Sequence, residues 1–83
     1  MIAEGWQWVY QPPQGRECGS LALISPLGNC AASVYLNNQR GSGYNWYVRD
    51  KNGTGGENST ETTVDQCIAE AEAAVIRWGM IRD

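Results

Sequence analysis

Residues 63–79 read TVDQCIAEAEAAVIRWG, and this stretch decides the fold. Val64, Cys67, Ile68, Ala71, Ala74, Val75 and Trp78 recur at three and four residues, which lines them up on one face of an α-helix. Thr63 fits the N-cap, and Gln66 three residues on completes a capping box. Gly79 is a natural C-terminal stop. The spacing predicts a helix over about residues 64–78. Its apolar stripe needs a second apolar surface to lie against.

That surface is expected upstream, where the periodicity changes from helical to alternating. Trp6, Trp8 and Tyr10 alternate with Gln7, Val9 and Gln11, predicting a strand over about 5–11 that Pro12-Pro13 ends. Further strands are expected over about 16–25, 29–38 and 44–50. Ser25-Pro26-Leu27-Gly28-Asn29 reads as a tight turn between the second and third, and residues 37–43 as a polar loop. In the hairpin, Ser25 facing Cys30 would set Cys18 opposite Asn37, too far from Cys30 for a disulfide. Residues 51–60 are polar and glycine-rich and read as a flexible loop. Short connections between consecutive strands give the expected fold class: α+β, a four-stranded antiparallel β-meander with one C-terminal α-helix packed on one face. Both alternating sets contain apolar residues, so the alternation leaves open which sheet face the helix covers.

The length of 83 residues suits one domain, and the composition (42% hydrophobic, 18% charged) is globular. Six basic against nine acidic residues give a net charge of -3, which argues against direct binding to nucleic acid or an anionic membrane. No apolar run approaches a membrane span, and Met1 to Trp6 lack the pattern of a signal peptide. A cytoplasmic protein is therefore expected. Cys18, Cys30 and Cys67 are odd in number and widely spaced, fitting small buried hydrophobes better than a disulfide framework.

There is no histidine, which removes the commonest general base and metal ligand. Neither a cysteine nor a serine nucleophile has its usual partner. The glycines at 53, 55 and 56 lack the Lys-Ser/Thr of a phosphate loop, and Asp50, Asn52 and Glu57 do not fit a calcium loop. No enzymatic activity, metal or cofactor is expected.

Three features point to binding instead. From Glu57 to Glu72 there are five acids and no base. Asp65 and Glu61 suit a helix N-terminus, whereas Glu70 and Glu72 lie beyond its reach. Tryptophan and tyrosine number four each and phenylalanine is absent, a choice typical of interfaces. A helix covers only one sheet face, so Tyr35, Tyr47 and Arg49, with Val9, are candidates for the uncovered one. Finally, Ala69, Ala73, Ile76 and Met80 cluster on the back of the helix.

Residues 19–35, GSLALISPLGNCAASVY, form a hairpin in which alanine, isoleucine and valine surround a Pro-x-Gly turn. A glycine-rich loop and a Thr-capped, Ala- and Glu-rich helix ending at Arg77-Trp78 complete the layout. It resembles small phage and mobile-element proteins built as a β-meander plus a helix, some anti-CRISPR proteins among them. The resemblance implies a non-enzymatic inhibitor that binds a host protein or protein complex, such as a bacterial defence complex, and blocks it sterically. Glu57, Glu61, Glu70 and Glu72 with Tyr35 and Tyr47 are the expected contact residues. Two other readings stay open: a homodimer through Ala69, Ala73, Ile76 and Met80, and a single-stranded nucleic-acid binder using the aromatic sheet face.

Overall fold

A computed structural model describes residues 4–16, 18–37, 43–49 and 56–79. Five strands and one helix follow in order: β1 (Gln7–Gln11), β2 (Ser20–Ile24), β3 (Cys30–Tyr35), β4 (Tyr44–Arg49), β5 (Gly56–Glu61) and α1 (Val64–Arg77). The strands form one antiparallel meander in sequence order. The α+β class with a C-terminal helix is as expected, but the sheet has five strands, not four. β5 lies in the segment read as a flexible loop. Of that segment, residues 51–55 fall outside the described residues. A consequence is that β4 is interior, and the outer strands are β1 and β5.

Local chemistry sets the boundaries. β1 ends where Pro12 and Pro13 cannot donate to a ladder. Gly15 turns at φ 58°, and β2 starts at Ser20, four residues later than the alternation suggested. Between β2 and β3, Gly28 takes φ 88° and its N–H donates to the Ser25 carbonyl at 2.9 Å. The Ser25 hydroxyl accepts from the Asn29 N–H at 3.1 Å, closing the turn. Leu23 pairs with Ala32, the register expected from the turn, and a bulge then brings Ile24 opposite Cys30.

The helix N-terminus carries the expected capping box. The Gln66 N–H donates to Thr63 Oγ1 at 3.1 Å, and the Thr63 N–H donates to Gln66 Oε1 at 3.3 Å. Gly79 follows the C-cap residue Trp78 at φ 71°. α1 lies on β3, β4 and β5. Cys67, Ala71, Ala74 and Val75 meet Leu23, Ala32, Val34, Trp46 and Val48 in the core. Complete burial of each Leu or Val side chain is worth about 1.5–3 kcal/mol. Alanines at 71 and 74 let the helix approach the sheet closely. The helix therefore covers the face bearing Trp46 and Val48, and leaves the face bearing Tyr35, Tyr47 and Arg49.

The three cysteines are free, and only Cys67 is fully buried. Cys18 is half-buried and Cys30 is exposed, correcting the expectation of three buried hydrophobes. Ile24 takes the place opposite Cys30 at the bulge, and the pairing of Ser20 with Tyr35 carries Cys18 away from it.

Candidate functional site

The strand register lays the uncovered face out in rows. Val9 pairs with Ala22, Ala22 with Ser33, Ser33 with Tyr47 and Tyr47 with Asn58, so these five form one line across all five strands. Ala22 and Ser33 keep only 6% and 7% of their surface exposed, although no helix lies over them. Larger side chains stand on either side, Val9 towards one edge and Tyr47 towards the other.

The prominent groups are Tyr35, Tyr47 and Arg49. The tyrosine rings lie 5.7 Å apart, tilted by 34°. The Arg49 guanidinium sits 5.4 Å from the centre of the Tyr47 ring, a cation–π distance. Partial burial and the neighbouring Tyr47 hold the Tyr35 phenol above its ordinary value. Beside them Thr60 Oγ1 donates to Asn45 Oδ1 at 2.6 Å. These residues line an open concavity of about 730 Å³ together with Gly56 and Asn58. Among the described strand positions on this face there is one cation, Arg49, and no carboxylate. In a chain of net charge -3 this is a marked segregation.

The acids expected to form a contact patch are placed differently. Glu72 accepts from the Trp8 indole at 2.9 Å, Glu61 from the Trp46 indole at 3.2 Å, and Glu57 from the Trp78 indole at 3.2 Å. Glu57 also accepts from Arg77 at 2.7 Å, and this pair holds its carboxyl below the ordinary glutamate value. Three of the four glutamates thus tie elements of the fold together. Of the four, Glu70 is exposed and the other three are half-buried. The structure does not bring the four into one free patch; of them Glu57 lines the concavity with Tyr35 and Tyr47, while its carboxylate is engaged by Arg77 and Trp78. Tryptophan supplies a donor that sequence charge counts ignore.

On the back of α1, Ala69 is exposed, Ala73 half-buried, and Ile76 retains 52% of its surface. Met80 lies outside the described residues. Asn45, Asn58 and Thr60 were not singled out from the sequence. The alternation of Asn58 and Thr60 with Glu57, Ser59 and Glu61 carried the signal, masked by the polarity of both sets.

Among the described residues, no group of three His, Cys, Asp or Glu side chains could hold a metal ion. No described helix is long and apolar enough to cross a membrane. No protein family, curated protein or solved structure matches the chain.

Proposed function

We propose that this chain is a non-enzymatic protein-binding module and that its contact surface is the uncovered sheet face. The observation that carries this reading is the cluster of Tyr35, Tyr47 and Arg49 on a face that α1 leaves open. Tyrosine and arginine dominate the energetics of protein interfaces, because each buries a large area with few rotatable bonds or many donors. The open concavity beside Tyr35 and Tyr47, over β4 and β5, leaves room for an inserted side chain. A face without carboxylates favours a partner surface that is neutral or acidic. Steric inhibition of a bacterial defence complex is the form of this function that the layout resemblance implies. In it the tyrosines, rather than the glutamates, are the anchors.

The test is a comparison of captured partners. Tagged protein, Tyr47→Ala, Arg49→Glu and Glu70→Lys are each used to draw partners from a bacterial lysate. A partner held by the wild type and by Glu70→Lys, but lost from both sheet-face variants, supports the reading. A partner retained by both folded sheet-face variants removes this face from the argument.

The same ring pair favours one second reading. Tyr35 and Tyr47 are spaced to stack unpaired bases, with Arg49 able to meet one phosphate. With a single cation the binding constant should fall with salt at a logarithmic slope of about -0.7. Titration of a labelled single strand at low salt with no binding ends this alternative.

A further inference from the structure

Strand β1 reads Gln7-Trp8-Val9-Tyr10-Gln11, and among the described residues it pairs with β2 alone. An outer strand presents a row of backbone N–H and C=O groups that can template pairing with another chain. Proteins usually blunt such edges with charges, prolines or bulges. Between Gln7 and Gln11 there is no charge and no proline, and the one bulge of the neighbouring ladder lies between β2 and β3. Two exposed apolar side chains are neighbours here, Val9 at 36% and Tyr10 at 57%. The other outer strand, β5, carries Glu57 and Glu61.

The residues of β1 are arranged as a palindrome of chemical types about Val9. If two copies pair antiparallel across a two-fold axis through Val9, Val9 meets Val9, Trp8 meets Tyr10, and Gln7 meets Gln11. Every pair then joins like with like, and no charges face each other. Moving the axis to Trp8 sets Gln7 against Val9, and moving it to Tyr10 sets Trp8 against Pro12. A shift of one residue in pairing would put opposite faces together. The register centred on Val9 is the one that matches all five residues.

The position of the helix agrees with this. α1 lies mainly over β3, β4 and β5 and reaches β1 through the Trp8 indole's hydrogen bond to Glu72. Trp6, Trp8 and Leu21 are left half-buried at the rim of the core. In the paired form, two Trp8–Tyr10 contacts line the trough between the two helices, so both rims gain cover. Aromatic pairs directly across antiparallel strands are favourable.

We infer that two copies of this chain associate edge to edge through β1, merging their sheets into one. The axis runs perpendicular to the sheet, so both helices lie on one side and both uncovered faces on the other. The inference goes beyond the partner-binding reading and does not depend on it. Five residues a side make a small interface, so a dissociation constant on the order of 10–100 μM is expected.

Gln7 and Gln11 give a test in which two variants with equal numbers of substitutions move in opposite directions. Gln7→Lys with Gln11→Lys brings lysines together twice across the axis and should weaken the dimer about tenfold or more. Gln7→Glu with Gln11→Lys brings opposite charges together twice and should keep or tighten it. Sedimentation equilibrium from 10 μM to 1 mM reads both against the wild type, with circular dichroism confirming each fold. Gln7→Glu with Gln11→Glu repeats the repulsion with the opposite sign and replaces the lysine pair should that unfold. A wild-type chain that is monomeric throughout overturns the inference. So does a dimer that all folded variants leave unchanged, or one that the opposite-charge variant loses as fully as the like-charge variant.

Discussion

The indole N–H of Trp8 donates to the Glu72 carboxylate across 2.9 Å, joining the first strand to a helix 64 residues further along the chain. α1 packs on β3, β4 and β5, so this bond is a specific link between the helix and the β1 side of the sheet. It is also why a carboxylate that reads as surface charge is part of the architecture.

Replacing Glu72 should therefore destabilise the domain. Glu72→Leu leaves the half-buried indole donor unpaired and should cost roughly 1–2 kcal/mol. Glu72→Gln keeps an acceptor oxygen and should cost less. Glu70→Lys, at an exposed position with no such partner, should change stability by less than about 0.5 kcal/mol. Urea unfolding midpoints order the three. Equal losses for Glu70→Lys and Glu72→Leu would show that Trp8–Glu72 contributes nothing particular.

Glu57 should shape the acid limb of stability. Its hydrogen bonds from Arg77 and Trp78 lower its folded value below the ordinary 4.5. A depressed acid contributes stability that is complete above the unfolded value and is lost as pH falls through the folded one. The advantage of the wild type over Glu57→Gln should thus be full at pH 7 and shrink below about 4.5. With 36% of the Glu57 side chain exposed the effect is modest and weakens with added salt. Paired denaturation curves at neutral pH and at about pH 3.5 check it. A difference that stays constant between them contradicts the assignment.

Gly56 should be intolerant of a side chain although its backbone is ordinary. A Cβ there would collide with the Val48 carbonyl oxygen and stand 3.2 Å from the Arg49 Cα, both backbone atoms that cannot swing aside. Gly56→Ala should cost roughly 1–3 kcal/mol by forcing β5 away from β4. Gly15→Ala is the comparison: its φ of 58° is strained for alanine, but nothing lies within 4 Å, so about 1 kcal/mol is expected. The two thermal midpoints, and the loss of β5 amide protection in Gly56→Ala alone, separate packing from backbone strain.

Gly56 also marks where the sequence stops being legible. α1 could be read almost to the residue, because seven apolar positions, a capping box and a terminal glycine all agree. β1 to β4 could be read because apolar and polar residues alternate. β5, Gly-Glu-Asn-Ser-Thr-Glu, has neither β-branched run nor apolar face, and it becomes a strand through pairing with β4. Missing it made β4 look like an edge and left Asn58 and Thr60 off the uncovered face. The tyrosines and Arg49 were legible as members of one alternating set. Charge shows in a sequence, whereas the indole donors that engage Glu57, Glu61 and Glu72 are brought near only by the fold.

The cysteines should differ in reactivity by position. Cys30 is exposed at the start of β3 and should react rapidly with an aromatic disulfide reagent near pH 8. Cys67 is fully buried, its thiol is pushed above the usual range by loss of water, and it donates to the Tyr44 carbonyl at 3.3 Å. It should react only when α1 lifts from the sheet, so its rate should rise with urea well before the global transition if the helix opens locally. In a Cys18→Ser, Cys30→Ser chain the remaining signal belongs to Cys67 alone. Labelling of that chain at the rate of a free thiol in native buffer would show that the helix face bearing Cys67, Ala71 and Val75 is not packed as described.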